Sequence, residues 1–236
     1  MPLIVGAVVA VAVLGTAGWF GVKALGGDEP ATALPTPLPS VDVAVPEPVA
    51  TATAEPTPVP TTVLDSARTD PKKLTLKEAF AERRPSVDGR TYTRAKLDIT
   101  GSCDKVAVGA FAAALKSAKC DRVLRATYVD SDKRYAVTTG IAVFPTKKAA
   151  MAADRRKNLG KTVWFRGLAG AKGTGAERAD ISGGYAAGVV WGRYIIFSFA
   201  TYSDGHTPTA QEKDLGPVSG AFRDHTAKVI EKRITS

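Results

Sequence analysis

No charge interrupts residues Leu3 to Val22, twenty consecutive positions in which Thr16 is the only hydroxyl, and no other feature restricts the chain as strongly. As a helix rising 1.5 Å per residue, this stretch is about 30 Å long, the depth of a bilayer's hydrocarbon core. Its backbone amides are satisfied within the helix, and Trp19 and Phe20 lie near one end, where aromatic rings favour the membrane interface. A cleaved signal peptide has a shorter apolar core preceded by positive charge. Here no Lys or Arg precedes the span, no small-x-small cleavage site follows it, and no cysteine stands near its end to carry a lipid. The pattern predicts a retained transmembrane anchor over residues 1–25. Lys23, the single flanking base, pulls its own side toward the cytoplasm; the two features taken next, stalk and cysteines, pull the other way.

From Pro30 to Pro71 there are ten prolines among Thr, Ala, Val and Glu, eight of them alternating as Pro35, Pro37, Pro39, then Pro46, Pro48, then Pro56, Pro58, Pro60. Such a segment has no apolar periodicity to bury. Alternating prolines fix φ and remove donors, which favours an extended, semi-rigid spacer. Residues 26–72 are therefore expected to be a disordered stalk, of the Thr-rich and Pro-rich kind found outside membranes. The spacing is PxP, which does not supply the PxxP core of a docking motif for Pro-binding modules.

Charge separates this N-terminal part from the rest. Residues 1–70 contain Lys23 and Arg68 as their only bases against seven acids, leaving 30 bases and 16 acids, net +14, for residues 71–236. The expected folded body, residues 73–236, opens on a capping box, Thr75-Leu76-Lys77-Glu78, ahead of Ala79 and Phe80. A helix is predicted to run to about Arg84. Tyr92 to Ile99 alternates as a strand, with Tyr92, Arg94, Lys96 and Asp98 on one face. Asp104 to Ala118 reads as a helix with Val108, Phe111, Leu115 and Ala118 in one stripe.

Two β-branched runs, Val123 to Val129 and Tyr135 to Phe144, predict an antiparallel hairpin. Thr146 is placed to cap a helix reaching Lys157, whose run of alanines and Met151 suits close packing on a sheet. Lys161 to Arg166 is a short strand candidate. Ser182 to Trp191 and Tyr194 to Tyr202 flank Gly192-Arg193, a two-residue hairpin turn. A terminal helix follows Pro217, with Val218, Ala221, Phe222, His225 and Val229 on its apolar face. The order predicts an α+β fold: a two-layer sandwich with split β-α-β-β-α-β order, an added hairpin and a terminal helix, preceded by one transmembrane helix. One sheet face is expected to be open to a partner.

Cys103 and Cys120 are the only cysteines, and an even count in an exported domain favours a disulfide. A straight helix between them would hold their Cα atoms about 25 Å apart, whereas a disulfide needs roughly 4.4 to 6.8 Å. Either the helix is shortened or bent near Gly109, or the thiols stay apart. Export favours the bond. With His206 and His225 as the only histidines and no ligand spacing, no metal or other cofactor is expected.

Catalytic motifs are fragmentary. Ser102-Cys103-Asp104-Lys105 fits Ser-x-x-Lys, but Ser203-Asp204-Gly205 lacks the Asn of the second motif and no Lys-Thr-Gly follows. Gly160-Lys161-Thr162 ends like a phosphate loop, yet Arg155 stands where the leading Gly is required. His225 fits a core histidine, and His206 sits in a polar stretch with no partner evident in sequence. Arg193 to Phe199 faintly resembles an RNA-stacking strand without its glycine, so nucleic acid is not the favoured partner. The basic run Lys147, Lys148, Arg155, Arg156 and Lys157 is the expected polyanion contact, since a net-positive body near a membrane is drawn to anionic lipid or wall polymer within a Debye length.

Together with its Ala, Val, Gly and Arg usage, the chain is expected to be a single-pass extracytoplasmic binding or sensing module of a bacterial envelope. Its partners would be the lipid bilayer and an anionic envelope polymer or a protein. The alternatives are an envelope enzyme acting on cell-wall material and, with the opposite topology, a cytoplasmic nucleic-acid binder.

Overall fold

The computed structural model describes residues 61–161 and 163–234. The predicted anchor and residues 26–60 of the predicted stalk lie outside the described residues. Among those described, no helix is long and apolar enough to cross a membrane.

The fold is a mixed one, built on a single antiparallel sheet and a few helices. In chain order come α1 (Leu76–Ala79), β1 (Ser86–Val87), β2 (Arg90–Thr100), α2 (Gly109–Ser117), β3 (Arg122–Asp130), β4 (Tyr135–Val143), α3 (Lys147–Asp154), β5 (Gly184–Trp191), β6 (Tyr194–Tyr202) and α4 (Leu215–Lys232). The strands pair in the order β1-β2-β3-β4-β6-β5, and every pairing is antiparallel. Both predicted hairpins form. In the second, Gly192 takes φ +56°, and a Cβ there would lie 2.5 Å from the Leu64 backbone oxygen, so the turn needs its glycine twice over.

Several expectations are corrected. The sheet is covered on both faces, which replaces the two-layer sandwich with one open face. Side chains of α4, among them Leu215, Val218, Phe222 and Ile230, pack on Leu124, Val137, Ile141 and Ile196. On the reverse face, α2, α3 and the segment around Trp164 and Phe165 pack on Val123, Ala142, Ile195 and Phe197. The continuous apolar runs of β3, β4 and β6 are the reason, since strands buried on both sides lose the alternation of half-exposed ones.

The split order holds for only one crossover. Strands β4 and β5 run the same way with β6 between them, but β2 and β3 are antiparallel neighbours joined by α2. The strand expected over residues 161–166 is reduced to isolated antiparallel bridges, Val163 with Asn158 and Phe165 with Ala107, after a 3-10 turn at Leu159–Lys161. Asn158 accepts from the amides of Lys161 (side chain, 3.1 Å) and Val163 (backbone, 2.9 Å), which leaves those groups unavailable to a ladder.

Alternation along β2 breaks at a bulge between Arg94 and Lys96. Tyr92 and Leu97 therefore both reach the α4 side, although their spacing places them on opposite faces of a regular strand. The helix expected over residues 104–118 divides into a 3-10 turn, Cys103–Val106, and α2, with Ala107 and Val108 extended and Gly109 at φ +59°. Phe111 and Leu115 keep the predicted stripe and are fully buried. On α3, Ala150 and Ala153 carry the packing, while Met151 is 44% exposed. The Thr75 and Thr146 caps are present, accepting from the Glu78 and Ala149 amides at 3.2 Å.

The packed body also begins earlier than composition suggests. Leu64 and Leu74 are buried in the α4-side core, and Asp70 is only 7% exposed. Residues 63–72 of this strap, which spans 63–74, fall within the expected stalk, where Thr69 and Pro71 continue its composition. The strap's apolar anchors are single residues with no periodicity to announce them. Asp70 holds it down, accepting from Arg193 at 3.2 Å, from Arg233 at 2.6 Å and from the Tyr194 hydroxyl.

Candidate functional site

Where the strap crosses the ends of β3 and β4, it walls a cleft of about 560 Å³. Ala67, Pro71, Lys73 and Leu74 form one side; Val143, Phe144 and Pro145 form the floor; Lys119, Cys120, Asp121 and Arg122 form the other side. That volume is in the range of small-ligand sites. Arg193 also reaches the cleft but is occupied by Asp70 and the Phe144 carbonyl. Three cations, Lys73, Lys119 and Arg122, then face one carboxylate, Asp121, which contacts Arg122 at 2.7 Å. Among the described residues, neither Lys73 nor Lys119 has an ion-pair partner.

The corner carrying two of these cations has a specific local cause. Helix α2 ends with the Cys120 amide donating to Leu115 (3.0 Å) and the Lys119 amide to Lys116 (3.0 Å), the reciprocal pattern that closes a helix on a left-handed residue. That residue is Lys119, at φ +53°, where glycine is usual. Asp121 then joins the sheet end, donating to Val143 at 2.8 Å. Cys120 bonds to Cys103 with their Cα atoms 6.2 Å apart. The break before Gly109 resolves the geometric conflict: folding back of the 3-10 turn brings Cys103 beside the far end of α2.

Asp70, which fixes the strap, is pulled in two directions. Burial alone would raise its carboxyl. The Tyr194 and Arg233 hydrogen bonds and the charges of Arg233 and Arg193 outweigh that and hold it below the ordinary range. Tyr194 is pushed up to about 12, first by burial and then by donating to Asp70.

The five sequence-predicted cations lie at the two ends of α3. Lys147 stands 3.6 Å from Asp65, and Lys148 is exposed at the start of α3. Arg155 and Arg156 are exposed beyond its other end, and Lys157 turns onto Asp154 and over the Trp164 ring at 5.7 Å. The cleft cations were missed because Lys73 is 46 residues from Lys119 in sequence, and only the strap brings them to one opening.

At the opposite end of the sheet a second polar cluster is closed on itself. Asp214 accepts from the Tyr135 and Tyr202 hydroxyls, each at 2.5 Å, and from Arg134 at 2.7 Å. Burial raises its carboxyl, but these bonds hold it below the usual range, and Tyr135 is pushed up to about 12. His206 stacks on Tyr202 at 4.2 Å and places Nδ1 2.6 Å from Asp204 and Nε2 3.1 Å from Glu212. Those two carboxylates raise its pKa. Both ring nitrogens are engaged by carboxylates, an arrangement that favours the protonated ring.

His225 is half-buried, and desolvation lowers its pKa. Ser102 and Lys105 are exposed on the 3-10 turn, where the Lys105 amide donates to the Ser102 carbonyl at 3.1 Å, and among the described residues no side-chain hydrogen bond joins them. No group of three His, Cys, Asp or Glu among the described residues is placed to hold a metal ion. Comparison with protein-family models, with curated proteins and with solved structures finds no match to this chain.

Proposed function

We propose that the chain is an envelope binding module whose folded part holds a phosphate- or carboxylate-bearing ligand in the cleft between the strap and the Lys119–Arg122 corner. The single observation carrying this is the unpaired charge: Lys73 and Lys119 converge with Arg122 on an apolar floor. Apolar surface beside uncompensated cations suits an anion attached to a larger body, the charge giving attraction and the floor giving fit. The Cys103–Cys120 bond supports an oxidising compartment, which agrees with the anchor and stalk expected from the sequence. In this proposal the anchor holds the domain outside the cytoplasmic membrane and the stalk sets its reach into the envelope.

Two experiments test this. Protease added to intact cells should remove the folded domain of the full-length protein; full protection contradicts the extracytoplasmic placement. Binding of the full-length protein to isolated cell wall and, separately, to phosphatidylglycerol vesicles should weaken steeply with added salt. The arm that binds identifies the source of the anion. Loss on Lys73→Ala and Lys119→Ala, with Lys148→Ala unaffected, assigns it to the cleft. Salt-indifferent retention in both arms contradicts the proposal.

A further inference from the structure

The corner that presents Lys119 and Arg122 is held from behind by the disulfide, and the two sulfurs differ in access. Cys103 is only 3% exposed, within the core formed by Phe111, Leu115 and Trp164, whereas Cys120 is half-buried and lines the cleft. Building on the reading of the cleft as an anion site, we propose that the Cys103–Cys120 bond sets the cleft's affinity and that bound anion and reductant oppose each other there.

The physical basis is positional. Lys119 occupies a left-handed conformation that costs free energy for any residue with a Cβ. In the oxidised protein the next residue is covalently tied to a buried anchor, so the strained turn and its two cations stay aimed at the opening. Cleaving that tie leaves the turn held by its helix-end hydrogen bonds and the Asp121 to Val143 bond.

Chemistry follows the same asymmetry. A dithiol reductant attacks through its thiolate at the Sγ of Cys120, the half-buried cysteine of the pair and the one that lines the cleft, and displaces the Cys103 thiolate. Its second thiol then resolves the mixed disulfide. Two electrons and two protons pass to the protein, leaving two cysteine thiols and an oxidised dithiol. Lys73, Lys119 and Arg122 draw the incoming thiolate just as they draw a ligand anion, so an occupied cleft shields the bond. Linkage makes the effect reciprocal at equilibrium.

Inorganic polyphosphate and the full-length protein provide the test. We expect reduction with dithiothreitol to weaken polyphosphate binding by about tenfold, within the usual span of coupling between sites, with far-UV circular dichroism unchanged. Saturating polyphosphate should shift the thiol–disulfide equilibrium toward the oxidised form by the same factor. The Cys103→Ser/Cys120→Ser variant should bind as the reduced protein does, and hydrogen exchange should localise loosening to the Lys119–Arg122 amides. Equal affinity in both redox states, with Lys119→Ala still weakening the oxidised protein, overturns this inference and leaves the cleft reading intact. Failure of the oxidised protein to bind at all overturns both. Global unfolding on reduction overturns the inference too, because the bond would then support the whole fold and not the corner.

Discussion

The two ends of the sheet handle charge in opposite ways. At the Asp214 end the charges meet partners: two tyrosines and Arg134 converge on one carboxylate, and His206 is held between two more. At the cleft end, Asp70 absorbs Arg193 and Arg233, and the cations left over face solvent. Charge already paired inside a protein is compensated there, and only charge without an internal partner is available to a ligand. Sequence counting cannot separate the two, since both ends contribute to the same net +14.

The largest effect is expected from breaking the buried pairing beside the cleft. Asp70→Ala leaves Arg193 buried without its carboxylate and Arg233 with Glu78 as its remaining one, and should cost about 3–5 kcal/mol, measured as a lowered denaturant midpoint with the strap released. A loss under about 1 kcal/mol would mean that the strap is held by Leu64 and Leu74 alone. Next comes Asp214→Asn, which strips the charge accepting from two tyrosines and should cost about 1–3 kcal/mol while leaving polyphosphate binding unchanged. Weakened binding in that variant would erase the contrast between the ends.

pH sharpens the same contrast. Asp70 and Asp214 have carboxyls below their ordinary values, so the stability they contribute is present above an unfolded pKa of about 3.9 and is lost as pH falls through the lower folded values. His206 has the opposite sign. Its raised pKa gives a contribution present below about 6.5 and lost as pH rises through the folded value. Equilibrium unfolding across pH should show a stability difference between the wild type and His206→Gln that is present below about 6.5 and disappears as pH rises, while the acid losses from Asp70 and Asp214 occur in both proteins. A smaller effect divides stability from function at one residue. Lys119→Gly relieves the left-handed strain and should stabilise by about 0.5–1 kcal/mol, yet weaken anion binding by removing a cation.

Much of this was legible in the sequence, and the exceptions have physical causes. The hairpins, both Thr caps and the Phe111–Leu115 stripe followed from local chemistry. The β2 register did not, because a bulge adds one residue without altering composition. The second covered face was hidden because strands buried on both sides resemble any apolar run. The cysteine pair was a choice between two geometries that the break at Gly109 resolved. The cleft was illegible: its cations lie far apart in the chain, its strap resembled stalk, and the dense basic run on α3 drew attention to residues that the fold spreads along a helix and its flanks.

The central claim is that the cations left unpaired at the strap are the ones that hold the anion. The most direct measurement is the slope of log affinity for polyphosphate against log salt concentration, compared between the wild-type full-length protein and the Lys73→Ala/Lys119→Ala variant. Counterion release predicts a slope shallower by about two in the variant, with Lys148→Ala matching wild type. An unchanged slope in the cleft variant, or an equal loss from Lys148→Ala, would contradict the account.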